Sequence, residues 1–193
     1  QIIKQAEEKV TSLFDAGSPG NLLYHSIDHT KSVVERANEI AAHYELSERD
    51  ITVLNIGAWF HDVGHLSTDP AMHEQKSAEL VKEWLADKGD NAGLADETAK
   101  LILATKLSTT PRGLIQEIIK DADTYHFGTG DFKKIDKLMK KEMALRNLPV
   151  SDWEKNTLML LESHQFYTSY CKEQLETGKQ KNMAKIKKKM EQG

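Results

Sequence analysis

Cysteine is all but missing from this 193-residue chain, which has a single one, Cys171. One thiol excludes an intramolecular disulfide framework and any cysteine-based zinc cluster, and it predicts a reducing, cytoplasmic setting. Glycine and proline are scarce, at 11 and 4 residues, too few for a many-turned β-sandwich. No apolar run approaches the roughly 18 residues of a membrane span, and no charged-then-apolar leader opens the chain. The first residue is Gln1 rather than Met, which predicts that something upstream, the initiator at least, has been removed. A strong charge is missing too: the formal net charge of −4 speaks against a dedicated nucleic-acid binder.

What is present describes a globular chain, 39% hydrophobic and 29% charged, with no linker long enough to divide it. The expectation is one domain over 1–193. Helical periodicity runs nearly throughout. Residues 2–15 read as a first helix, ended by Gly17-Ser18-Pro19-Gly20. A second covers about 26–44, with Val33, Val34, Ala37, Ile40 and Ala41 at three-and-four spacing. Ser47 and Asp50 form a capping-box pattern before a third helix over about 51–62, apolar on most sides and so central, with Gly64 past its end. Asp69-Pro70 and Thr110-Pro111 both read as N-cap then N1 proline. Further helices are expected to about Gly89, over 96–106, through Leu114–Ile119, over 131–146 and over 151–172, with a lysine-rich helix at 180–191. The fold class is therefore all-α, a compact helical bundle, with the prolines at helix boundaries.

Histidine is abundant. Eight are present, and six fall between residues 25 and 73: His25, His29, His43, His61, His65 and His73. His29 lies four before Val33 and eight before Ala37, on the inward side of its helix. His61 is seven after Leu54, and Asp62 is four after Ala58. His73 is four before Ser77 and eight before Val81. Asp121 and Asp123 follow the apolar run Ile115–Ile119. A lone inward histidine is usually a hydrogen-bonded core residue. A set of them beside carboxylates is different, because buried charge must be paired or bound to metal. Without cysteine, such a metal site must use imidazole and carboxylate, which suits Mn, Fe, Co, Ni or Zn. Neighbours on a helix point about 100° apart, so His61 and Asp62 reach one ion only where their helix ends.

The segments Tyr24-His25-Ser26-Ile27-Asp28-His29-Thr30, Trp59-Phe60-His61-Asp62-Val63-Gly64-His65 and Lys120-Asp121-Ala122-Asp123 resemble, in that order, the HD superfamily of metal-dependent phosphohydrolases. The resemblance spans about residues 20–130, with C-terminal helices over about 131–193. From His164 to the lysine-rich end the chain looks like small bacterial members. The resemblance implies an enzyme that hydrolyses a phosphoester, of a nucleotide or cyclic nucleotide, with water activated by a divalent ion (Mn, Fe, Co, Ni, Zn or Mg). It makes His29, His61, Asp62 and Asp123 the metal ligands, with Asp121 a weaker candidate for the last place.

Asp62 would double as a water-orienting base. His25 would be the general acid, against a plain loop histidine, and His65 a phosphate contact, against a helix cap. His73 looks like the extra ligand of dinuclear relatives. Those relatives carry a histidine on the next helix, where Thr105 stands, so one tight ion and at most one weak one are expected. Lys106 would add positive charge for phosphate, against an exposed helix-end lysine. Two rival readings accompany this one. The first is a non-catalytic nucleotide-binding sensor domain excised from a larger signalling protein. The second is a partner or anionic-lipid contact through the basic stretch Lys179–Lys189. The expected partner is a small phosphorylated substrate, with no nucleic acid and no membrane span. Trp59, Phe60, Trp84, Trp153 and Cys171 read as packing, and His43, His126 and His164 receive no role. Tyr167 and Thr168 would line the pocket if the last long helix folds back.

Overall fold

A helix that is apolar on every side needs partners on every side, and the third helix finds them. In the computed structural model, which describes residues 1–89 and 93–192, α3 (Glu48–Phe60) lies between two apolar clusters. On one side Leu54 and Ala58 pack with Val33, Ile40, Ile118, Ile119, Phe166 and Leu175. On the other, Ile56 and Phe60 pack with Val10, Phe14, Val81, Leu85 and Ile102. The first cluster draws on α2 (Ile27–Ala41), α6 (Leu114–Asp123), α8 (Trp153–Ser163) and α9 (Ser169–Glu191). The second draws on α1 (Ile2–Gly17), α4 (His73–Asp87) and α5 (Leu94–Ala104). The remaining helix, α7 (Phe132–Leu145), follows a short 3-10 turn over Tyr125–Gly128. The described residues contain no strand, so the all-α expectation holds.

Local chemistry fixes the ends of these elements. Ser47 and Asp50 form the expected capping box, each side chain bonding the other's backbone N–H. Asp69-Pro70 opens a 3-10 turn over Pro70–Met72 rather than α4 itself, which begins at His73. Thr110-Pro111 does not cap α6: that helix starts at Leu114, after Gly113 in a positive-φ conformation. The helix expected over 151–172 is two helices broken at residues 164–168. The break has a cause. The buried Asp121 carboxylate accepts hydrogen bonds from the N–H groups of Tyr167 (2.9 Å) and Thr168 (2.8 Å) and from Thr168 Oγ1 (2.6 Å). Those amides are thereby unavailable to a continuous helix, and Thr168 Oγ1 in turn caps α9 by accepting from Cys171 N–H.

The lysine-rich end expected at 180–191 is the last part of α9. Where α9 crosses the 125–128 turn the backbones nearly touch. A Cβ on Gly178 would lie 1.8 Å from the Gly128 carbonyl oxygen, so only glycine fits there. No described helix is long and apolar enough to cross a membrane.

Candidate metal centre

Three helix ends meet at one point. His29 sits in the first turn of α2, His61 is the C-cap of α3 with Asp62 directly after it, and Asp123 is the last residue of α6. Helix ends let side chains from different axes converge, and these do. His29 Nε2 lies 3.2 Å from Asp123 Oδ1 and 3.3 Å from Asp62 Oδ2. His61 Nε2 lies 3.3 Å from Asp62 Oδ2 and 3.6 Å from Asp123 Oδ1. His61 Nδ1 donates to the Ala58 carbonyl at 2.8 Å, which turns the ring and leaves Nε2 as the inward nitrogen. His61 Nε2 and Asp62 Oδ2 are buried without any hydrogen-bond partner, although buried polar atoms are nearly always satisfied.

The electrostatics agree with that convergence. Burial works against a proton on His61, yet the Asp62 charge and the nearby Asp123 carboxylate override it and raise its pKa well above the ordinary value. Burial would raise the Asp62 carboxyl, but His61 and His29 hold it well below the usual range. Asp123 is lowered in the same way, burial being outweighed by the bond to His29 and the nearby His61 ring. The centre thus stabilises positive charge at its middle. Two imidazoles, two carboxylates and two orphaned buried atoms fit a divalent cation.

Asp62 has a second face. Its Oδ1 lies 3.6 Å from His73 Nε2 and 3.9 Å from His65 Nε2. His65 packs against two other imidazoles, its ring centroid 3.9 Å from those of both His25 and His73. Gly64 permits this approach of α4, since a Cβ there would fall 2.1 Å from the His73 carbonyl oxygen. His73 Nδ1 donates to the Pro70 carbonyl at 2.6 Å.

Glu142 of α7 and Arg146 at its C-cap complete this side, and the sequence reading did not single them out. Glu142, 0% exposed, accepts through Oε2 from the N–H groups of Leu23 (2.9 Å), Tyr24 (2.7 Å) and His25 (3.0 Å), and through Oε1 from His25 Nδ1 (2.5 Å). Burial would raise its carboxyl, but His25 and those amides hold it down at about 2. Arg146 Nη1 donates to His65 Nδ1 at 3.0 Å and to Glu142 Oε1 at 3.3 Å. Burial drives His65 down to about 2, so its ring is neutral. The available signal was spacing: Phe132, Ile135, Met139, Glu142 and Arg146 share one face of α7.

A cavity of about 550 Å³ opens on the centre. Tyr24, His25, Asp62, His73, Asp123 and His126 line its inner end, and Phe132, Ile135, Met139 and Trp153 its outer part. Asp136, also in the wall, accepts from Trp153 Nε1 (2.9 Å) and Thr157 Oγ1 (3.2 Å). His126, assigned no role from the sequence, lies in this wall and is pushed down to about 3 by burial. Lys106 and Thr105 line the same cavity. The Lys106 side chain is exposed, and Thr105 Oγ1 is spent on the Ile102 carbonyl. The neighbouring buried lysine is Lys120, whose Nζ donates to the carbonyls of Ala104 (3.1 Å) and Lys106 (2.7 Å) and ties α6 to the end of α5. Asp121 is not brought to the cluster, because its carboxylate is consumed at the start of α9. Tyr167 and Thr168 are drawn to Asp121 rather than into the cavity wall.

A family model described as HD domain matches residues 26–128. None of the curated proteins and none of the solved structures matches the chain.

Proposed function

The chain belongs to the HD-domain family, a superfamily of metal-dependent phosphohydrolases, and from that premise we propose that it hydrolyses a phosphoester, of a nucleotide or cyclic nucleotide. The observation that carries the proposal is the convergence of His29 Nε2, His61 Nε2, Asp62 Oδ2 and Asp123 Oδ1, each imidazole nitrogen within 3.2–3.6 Å of both carboxylate oxygens, with two of those atoms buried and unpartnered. These four residues would hold the ion. When bound, a divalent ion there supplies Lewis acidity toward phosphoryl oxygens and lowers the pKa of water.

The chain's own groups do the rest. His25 is anchored through Nδ1 by Glu142 and lines the cavity, so its Nε2 is the nitrogen that protonates the leaving oxygen. The outer cavity wall supports the nucleotide part of the reading. Its apolar side chains suit a flat base, and the Asp136 carboxylate among them suits a hydrogen-bond donor on that base. Because α7 furnishes both the wall and the anchor of His25, the whole chain is read as one working unit.

The test is metal analysis of the purified protein together with a hydrolysis screen over mononucleotides, cyclic nucleotides and triphosphates with Mn, Fe, Co, Ni, Mg and Zn. One tightly held equivalent per chain and turnover of a nucleotide are expected, both lost in His61→Ala. Protein that binds no divalent ion overturns the proposal. Tight nucleotide binding with no product would replace the enzyme by a sensor.

A further inference from the structure

Arginine cannot accept a hydrogen bond, because its guanidinium carries only donors. The contact between Arg146 Nη1 and His65 Nδ1 at 3.0 Å therefore assigns the His65 lone pair to Nδ1 and its hydrogen to Nε2. Glu142 does the reverse to His25. A carboxylate takes the Nδ1 hydrogen at 2.5 Å, leaving Nε2 as the working nitrogen. Both partners come from the C-terminal end of α7 and its cap, beyond residues 26–128 where the family model matches, and they are coupled, since Arg146 Nη1 also donates to the Glu142 oxygen that holds His25. Side-chain exposures are 8% for Arg146, 0% for Glu142 and 1% for His65, so water does not compete for these bonds.

Grouped by distance alone, His25, Asp62 and His65 form a second possible metal cluster, with ligand atoms within 4.8 Å of one another. The hydrogen-bond chemistry says otherwise. A metal-ligating imidazole needs its lone pair on the nitrogen that faces the ion, and the inward nitrogen of His65 carries a hydrogen. That nitrogen is buried, has no hydrogen-bond partner and lies 3.9 Å from Asp62 Oδ1. The His73 ring stacked on it and the His25 ring packed at a tilt fix the plane in which it points.

We propose that Arg146 is a positioning residue that holds His65 with its Nε2 hydrogen turned toward the outer oxygen of Asp62, so that His65 faces the shared carboxylate as a donor and is not a metal ligand. Its partner Glu142 fixes His25 in the opposite sense. The inference rests on the phosphohydrolase reading only for its turnover readout.

The test begins with the wild-type protein, ¹⁵N-labelled in its imidazoles, in long-range ¹H–¹⁵N correlation spectra with and without Zn(II). His65 is expected with its hydrogen on Nε2 in both states, while the Nε2 resonances of His29 and His61 take ligand shifts on adding zinc. A hydrogen on His65 Nδ1, or a ligand shift at its Nε2, overturns the proposal. Arg146→Met is then expected to release the fixed tautomer and lower turnover about 10–100-fold while keeping the tight metal equivalent. Arg146→Lys, which still donates, restores the tautomer. Loss of the tight equivalent in Arg146→Met, in protein whose melting is unchanged, would instead make His65 part of the metal shell. Wild-type protein that hydrolyses nothing ends the enzyme reading and leaves the tautomer result standing.

Discussion

Asp62 divides the centre into two halves built on opposite principles. On its Oδ2 side, the inward atoms of His61 and Asp62 are buried without hydrogen-bond partners, and the surrounding charges favour a cation. On its Oδ1 side, the finished half, the protein fixes its histidines from the outer nitrogen, although His65 Nε2 also lacks a hydrogen-bond partner. The Nδ1 atom of each of the three histidines is committed, His25 to Glu142, His65 to Arg146 and His73 to the Pro70 carbonyl. The same residue types therefore carry different chemistry. An imidazole whose outward nitrogen donates, and whose inward nitrogen has nothing to bond, is shaped for an ion. An imidazole held by arginine is shaped to donate.

The comparison breaks most visibly at Asp62 and His61. Asp62→Ala or His61→Ala is expected to remove the tight metal equivalent and lower turnover by at least about a thousandfold, read by elemental analysis and initial rates. If either variant keeps its metal, the open half is not the metal half. Next comes His25→Gln, which removes the leaving-group acid from the finished half. It should lower kcat by about a hundredfold or more with metal content unchanged. Loss of metal in that variant would erase the distinction between the halves.

Glu142→Gln sharpens the comparison through stability as well as rate. It keeps the shape but weakens the grip on the loop at Leu23–His25, for about a 10–100-fold fall in turnover and a lowered melting temperature. The sign of its pH effect follows from the lowered carboxyl. Glu142 contributes stability fully above its ordinary value of 4.5, and that contribution disappears as the pH falls toward about 2. Thermal melts of the wild type should therefore fall more steeply than those of Glu142→Gln over that window.

The two halves were unequally visible in the sequence. Inward spacing put His29, His61 and His73 on buried faces, and the ordered segments around them carried the family resemblance. The choice between Asp121 and Asp123 followed from helix geometry once the fold was known. Two places apart on α6, they point roughly 200° apart, one to the start of α9 and the other to the cluster. The break at residues 164–168 was invisible because no glycine or proline marks it, and the carboxylate that fixes it lies 47 positions away. Glu142 and Arg146 were hidden by separation. They act on His25 and His65 across 117 and 81 residues, in a helix whose many lysines read as a solvated face.

His73 is the residue on which the two halves differ least, and it gives the smallest predicted effect. Its Nδ1 hydrogen is spent on the Pro70 carbonyl, which leaves the Nε2 lone pair facing Asp62 Oδ1 at 3.6 Å. Of the three stacked histidines it therefore keeps a lone pair where a second, weaker ion would meet Asp62. The next helix presents Thr105, with its hydroxyl turned to its own backbone, so such an ion would have little else to hold it. His73→Ala should accordingly leave the tight equivalent in place and cost less than about tenfold in turnover. Any loss should be confined to the response to added Mn(II) above one equivalent. A metal titration followed by rate at each stoichiometry checks this. If His73→Ala empties the first site, the finished half holds the ion too, and Asp62 no longer separates two kinds of histidine.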